Sequence, residues 1–271
     1  MSFARINDNR LYYELAGESG DPIVLIHGSW SDSGGWDYLV PLLSDSFKVL
    51  RYDRRGHTRS DEPEGWGTIK DDISDLAGLI RQHGLAPAHI VGNSFGGNIA
   101  LGLAAEDPEL INTLIVHEPP AVLLLDNPEN RHILEELDKK MKVVLQKLEN
   151  GFLREGARYF MENVVFWPGF WDELPEETHQ KFVDNANTFL EEQKDPDWMK
   201  IDTEALSGFT RPTLLTFGEK SDKFFRIILE KLEEIIPGSK FRELANMGHV
   251  PQTTHPQKYA DILKSFIAGS D

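Results

Sequence analysis

Chemistry in this chain of 271 residues must come from hydroxyls, imidazoles and carboxylates, because it has no cysteine. Thiol nucleophiles, disulfide frameworks and thiolate metal sites are excluded. One stretch concentrates the remaining options: Ile90-Val91-Gly92-Asn93-Ser94-Phe95-Gly96-Gly97. Gly92–Gly96 fits G-x-S-x-G, and it falls between a strand-like apolar run and a helix-period segment. A strand that turns sharply into a helix crowds the positions two before and two after the apex, so both must be small. The apex residue is held in a strained conformation with its side chain projecting. The helix that follows brings its positive N-terminal end close to any oxyanion forming there. Ser94 is therefore a candidate nucleophile; without that context the five residues would be only a Gly-Ser turn.

The surrounding elements can be read from periodicity. Runs rich in Val, Ile and Leu at Ile23–His27, Phe47–Tyr52, His89–Gly92 and Thr113–His117 read as buried strands. They alternate with helix-period segments at Trp36–Leu43, Ile69–His83 and Phe95–Glu106. Such alternation predicts an α/β fold with a parallel sheet covered on both faces. Phe3–Ile6 and Leu11–Leu15, separated by Asp8-Asn9, read as an antiparallel hairpin at one edge. From Pro119-Pro120 to about Gly208 the chain turns helical, acidic and aromatic, with its clearest helix at Ile133–Leu148. Alternation then resumes with strands Thr213–Phe217 and Lys240–Leu244 and helices Phe224–Ile236 and Pro256–Ile267. The expected organisation is a core of residues 1–118 and 209–271 with a helical cap or lid, 119–208. The cap would lie over the carboxyl end of the sheet, where open α/β sheets bind ligands.

The order of motifs resembles the α/β-hydrolase superfamily. Leu25-Ile26-His27-Gly28-Ser29-Trp30 is similar to its His-Gly oxyanion loop. Tyr52-Asp53-Arg54-Arg55-Gly56-His57-Thr58-Arg59-Ser60 is similar to its D-x-R-G-x-G-x-S loop, with Thr58 where glycine is usual. Gly92–Gly96 is the elbow, and Asn246-Met247-Gly248-His249 matches the Gly-His of the catalytic histidine. The resemblance implies a mostly parallel eight-stranded sheet, helices on both faces, an inserted helical cap and a serine hydrolase. It is specific for the fold and weakly specific for the substrate. It places the base on His249, whereas His27, His57 and His255 read as structural or loop histidines. His117 sits at a strand end beside Glu118.

The oxyanion site would use the backbone N–H of Phe95 and, by the resemblance, that of Ser29. The Ser29 hydroxyl is a candidate third donor. The family's usual acid position, in Phe217–Asp222, falls on Ser221, flanked by Glu219 and Asp222. A minority of the superfamily uses a Glu after the sixth strand, which here is Glu118 in Leu114-Ile115-Val116-His117-Glu118-Pro119-Pro120. The two prolines fix φ after Glu118 and end the strand. A buried carboxylate is costly unless paired, and an imidazolium is a suitable partner. Glu118 is the preferred acid, with Asp222 and Glu219 as alternatives; its other reading is a bridge to the cap.

The aromatic segment Phe166–Trp171 and the loop residues around Ser94 and His249 mark Trp30, Trp167 and Val250 as candidate substrate-binding residues. The expected reaction is hydrolysis of a small apolar or aromatic carboxylic ester or lactone through an acyl-enzyme. Carbon–carbon bond hydrolysis, cofactor-free haloperoxidase-like chemistry and non-catalytic ligand reception on the same scaffold remain alternatives. Superfamily dehalogenases and epoxide hydrolases use an aspartate nucleophile, which Ser94 is not.

Composition narrows the partners. With 28 Lys and Arg against 45 Asp and Glu, the formal charge is −17. Such a field repels nucleic acid and anionic membranes. No stretch approaches the roughly 20 apolar residues of a spanning helix, and the first ten residues lack the apolar run of a signal peptide. A cytoplasmic protein with a small-molecule substrate is expected, and a homodimer is compatible with the sequence. Neither H-E-x-x-H nor a P-loop occurs, so no metal and no cofactor is expected.

Overall fold

The computed structural model describes residues 2–62 and 67–269. Residues 1, 63–66, 270 and 271 of the expected core lie outside the described residues. The strands are β1 (Ser2–Ile6), β2 (Asn9–Ala16), β3 (Asp21–Ile26), β4 (Phe47–Tyr52), β5 (Ala88–Asn93), β6 (Ile111–His117), β7 (Thr213–Gly218) and β8 (Lys240–Leu244). They form one eight-stranded sheet in the order β1-β2-β4-β3-β5-β6-β7-β8. The β1–β2 and β2–β4 pairs are antiparallel and every other pair is parallel.

The period of two along each central strand decides which helices it meets. Val24, Ile26, Ile90, Leu114, Val116, Leu215 and Phe217 join one apolar cluster. Their neighbours Ile23, Leu25, Val91, Ile115 and Leu214 join another. Helices Ile69–Gln82, Phe95–Glu106 and Lys223–Ile235 contribute to the first cluster, and Pro256–Ile267 to the second. Burial on both faces is why these strands read as continuous apolar runs.

One expected helix is corrected. Trp36–Leu43 is not continuous: a 3₁₀ turn at Ser33–Trp36 is followed by a separate four-residue helix, Val40–Leu43. Pro41 lacks the N–H that a helix running through it would need, so it stands in a first turn instead.

Between β6 and β7 the chain runs through helices, among them Arg131–Glu149, Leu153–Phe160, Glu176–Asp184 and Ala186–Glu192. Val144, Leu148, Ala157, Met161, Trp171, Ala186 and Phe189 form a third apolar cluster there, which Trp30 enters from the loop after β3. Polar contacts tie this insert to the core at Lys181–Asp32 (2.9 Å) and from the Ile69 N–H to Asp195 (2.8 Å).

Among the described residues, Trp30, Thr58, Ser94, Glu118 and Asn246, in the segments that follow β3, β4, β5, β6 and β8, have positive φ without being glycine. Strained backbone of this kind gathers where surrounding structure over-determines it, as at functional sites.

His27, His57 and His117 are buried in the same region. Burial, with Arg54 adding to it, holds His27 down to about 4 and His57 well below the ordinary imidazole value. Burial also brings His117 to about 4. All three are neutral when folded and would protonate near 6.5 when unfolded. Their stabilisation is complete above that value and is lost as pH falls below it, over the interval down to about 4 for His27 and His117, at about 3 kcal/mol for each of these two. Asp75 opposes them, because burial raises its carboxyl to about 6. His83 and His89, also lowered by burial, act with these histidines, and Glu192, raised by burial, acts with Asp75; the histidines outweigh the two carboxyls, so the melting temperature should fall between pH 7 and about 4.5. The fall should be shallower in His117→Asn, which has no proton to take up at that site. A melting temperature that is flat or rising across this interval would contradict the assignment.

Candidate active site

Ser94 stands at the β5-to-helix apex with φ 54° and ψ −126°. The flanking glycines are required by space: a Cβ on Gly92 would lie 2.3 Å from the Gly96 carbonyl oxygen, and one on Gly96 would lie 2.3 Å from that of Ile26. From the opposite side a Cβ on Gly28 would come within 2.8 Å of the Ser94 Cβ. The Ser94 N–H donates to the His117 carbonyl at 2.9 Å, and the Gly97 N–H donates to the Ser94 carbonyl at 2.7 Å. The apex is thus fixed to the end of β6.

Glu118, immediately after β6, is fully buried and has φ 46°. Its Oε1 accepts the Gly218 N–H at 2.7 Å, and its Oε2 lies 2.6 Å from His249 Nδ1. His117 Nε2 is 3.7 Å from Oε1. Burial opposes the charge on Glu118, but the His117 and His249 rings and the Gly218 N–H outweigh it and hold the carboxyl below its ordinary value. Asn93, the neighbour of Ser94, donates its side-chain amide to the His249 carbonyl at 2.9 Å and accepts from Gln252 at 3.1 Å. His117 Nε2 lies 3.2 Å from the Gly248 carbonyl. The loop carrying His249 is therefore pinned to both the elbow and β6. Phe225 stacks on the His249 ring at 4.9 Å, and Phe166 of the insert meets it edge-on at 6.1 Å.

The alternative acids lie elsewhere. Asp222 is exposed and caps helix Lys223–Ile235 by accepting the Phe224 N–H at 3.1 Å. Glu219 is exposed and accepts the Asn246 N–H at 2.7 Å. An aspartate preceding a helix is a routine N-cap, which explains Asp222 without chemistry. Of the three carboxylates considered, Glu118 alone is brought to His249.

Phe95 opens helix Phe95–Glu106, so its N–H is one that a helix start leaves without an intrahelical acceptor. Ser29 lies in the loop after β3. Its hydroxyl is not free to act as a third oxyanion donor, because it donates to Glu192 at 2.5 Å. Trp30 is buried against Phe160 and Phe189, at 5.3 and 4.6 Å, as part of the insert's apolar cluster. Trp167 is half-exposed, donates its indole N–H to Glu173 at 3.0 Å and packs edge-on against Phe166 and Phe170. Val250 is half-buried beside His249 in sequence. Phe166 belongs to the aromatic segment that the sequence singled out; sequence reasoning missed the roles of Asn93, Gly218 and Phe225, and the one available signal among these was Asn93's place inside the elbow motif.

Residues 23–262 match the alpha/beta hydrolase family, to which the chain belongs. A proline iminopeptidase of Saccharolobus solfataricus is 28% identical, over 98% of this chain and 91% of its own length. A 2-hydroxy-6-oxononadienedioate/2-hydroxy-6-oxononatrienedioate hydrolase of Pseudomonas putida is 26% identical, over 98% and 95%. The crystal structure of an alpha/beta hydrolase from Sphaerobacter thermophilus superposes with a TM-score of 0.79 at 26% identity, covering 98% of this chain and 99% of that one. The protein is a hydrolase of this fold. Among the described residues no helix is long and apolar enough to cross a membrane.

Glu118 receives a donor on each carboxylate oxygen, from Gly218 and from His249. A glutamine there has one acceptor oxygen, so its NH₂ must face one of those donors or the imidazole must change tautomer. Glu118→Gln should lower kcat by about 10³–10⁴-fold, whereas Asp222→Asn should leave kcat close to that of the unchanged protein. Equal kcat for Glu118→Gln and the parent would refute the pairing's importance.

Proposed function

We propose that the protein is a serine hydrolase cleaving small apolar or aromatic carboxylic esters or lactones through an acyl-enzyme. Ser94 Oγ attacks the carbonyl while His249 Nε2 takes its proton. Glu118 holds the Nδ1–H and stabilises the imidazolium that forms. The N–H groups of Phe95 and Ser29 receive the oxyanion; losing one such donor costs about 10²–10³ in rate. The imidazolium then protonates the leaving alcohol, and water activated by His249 releases the acid. The observation that supports this reading is the 2.6 Å Glu118–His249 contact on a loop that Asn93 holds to the Ser94 elbow.

The substrate class is argued from the surroundings of His249. Phe166 and Phe225 contact its ring, which favours a compact acyl group with apolar surface. The net charge of −17 disfavours a strongly anionic one. A second reading, carbon–carbon bond hydrolysis, is supported by the Pseudomonas putida relative. That relative's name specifies a dianion, which suits the charge of this chain poorly.

A fluorophosphonate should label the parent chain once and Ser94→Ala not at all, and Ser94→Ala should lower kcat on p-nitrophenyl esters by about 10⁶-fold. Short acyl chains should turn over faster than long ones. Undiminished labelling of Ser94→Ala would defeat the proposal, and turnover of vinylogous diketones without turnover of esters or lactones would favour the second reading.

A further inference from the structure

Glu192 ends helix Ala186–Glu192 of the insert, yet its carboxyl is buried against the core. Its Oε2 accepts the Ser29 hydroxyl at 2.5 Å. Its Oε1 lies 2.8 Å from Arg54 Nη1, and His57 Nε2 is 3.8 Å away. Arg54 is itself 1% exposed; its Nε and Nη2 reach Asp72 at 3.2 and 2.9 Å, and its guanidinium lies 4.3 Å from the centre of the Phe95 ring. The Arg54 backbone N–H donates to His27 Nε2 at 3.0 Å, and His27 Nδ1 lies 2.8 Å from the Gly28 carbonyl. Arg54 therefore bears on both segments on which the proposed oxyanion donors sit: its guanidinium on Phe95 directly and on Ser29 through Glu192, and its backbone N–H on the Gly28 loop through His27.

The chemistry of burial makes the arrangement cooperative. Glu192 without Arg54 would be an unpaired carboxylate out of water, and Arg54 without Glu192 would keep one carboxylate partner where it now has two. The fork of Arg54 is aligned on Asp72, whereas Nη1 and Glu192 Oε1 are close as an ion pair without hydrogen-bond alignment, so movement of Glu192 acts on Ser29 through a hydrogen bond and on the Arg54 plane over Phe95 through charge. The carboxylate that completes the set belongs to the insert, 163 residues from Ser29 in sequence.

We propose that Glu192 is a positioning residue. From the insert it holds Ser29 and, through Arg54, Phe95, so that the two backbone N–H groups converge on an oxyanion only while the insert is docked. This rests on the reading of Ser29 and Phe95 as oxyanion donors. A role of this kind acts on the transition state, whose oxyanion it serves, more than on the bound substrate.

The test compares Glu192→Gln, Ser29→Ala, the double variant and Ser94→Ala in the full chain, with a p-nitrophenyl ester as substrate and a trifluoromethyl ketone as oxyanion-forming inhibitor. Glu192→Gln should lower kcat by about 10²-fold with KM within about threefold, and weaken the ketone by a factor similar to the kcat loss. Ser29→Ala keeps its backbone N–H but loses the tether, and should move the same parameters in the same direction. The double variant should be little worse than Glu192→Gln, because that change removes the charge facing Arg54 and weakens the Ser29 tether, and Ser29→Ala removes only that same tether. If Glu192→Gln does not fold, Ser29→Ala with its ketone affinity carries the test. An inactive Ser94→Ala together with unchanged kcat and ketone affinity in Glu192→Gln and Ser29→Ala overturns this proposal alone. Additive losses in the double variant also overturn it. A fully active Ser94→Ala overturns the underlying reading and this proposal with it.

Discussion

The carboxylate of Glu118, held out of water at the end of β6, is the constraint around which the working edge of this molecule is arranged. An isolated buried carboxylate costs several kcal/mol, so its two oxygens must find donors. The Gly218 N–H at the end of β7 and the His249 imidazole from the loop after β8 supply them. Three chain segments distant in sequence are thereby brought to one point. The Ser94 N–H on the His117 carbonyl and the Asn93 amide on the His249 carbonyl add a fourth, the elbow after β5. The polar contacts that orient the imidazole are the same ones that keep the buried charge satisfied, so the proposed catalytic geometry and local stability cannot be separated here.

Backbone strain follows the same edge. Ser94 and Glu118 both have positive φ without being glycine, and each is gripped by hydrogen bonds from neighbouring strands. Such conformations persist only when their surroundings over-determine them, and parallel strands ending together provide that. The insert closes over this edge through two kinds of contact. Phe166 meets the His249 ring as an apolar wall, and Glu192 enters the core as a charge. The first bears on which groups the proposed ester or lactone substrate can place beside His249, and the second on the frame of the proposed oxyanion site.

Much of this was legible in the residues themselves. The central strands announce themselves because burial on both faces demands continuous Val, Ile and Leu, and the elbow because only small residues fit around its apex. Glu118 stood out because two prolines follow it and because Ser221 occupies the usual acid position. Trp36–Leu43 misled because its apolar spacing is helical while Pro41 breaks the hydrogen-bond ladder. His57 read as a loop histidine and does lie in a loop, but it is buried, which local sequence does not reveal. The Ser29–Glu192–Arg54 contacts were not legible at all: they join residues whose spacing carries no period and whose types are ordinary at the surface. The Ser29 hydroxyl, read as a possible oxyanion donor, turns out to be engaged by a carboxylate that only the folded insert brings near.

The central claim is that Glu118 fixes the His249 imidazole with its proton on Nδ1 and its Nε2 lone pair available as a base. Nitrogen-15 NMR of histidine-labelled protein at neutral pH reads that tautomer directly. The account predicts His249 protonated at Nδ1 and bare at Nε2 in the parent chain, with the preference weakened in Glu118→Gln. A His249 carrying its proton on Nε2 in the parent chain, or a tautomer indifferent to Glu118, would contradict it.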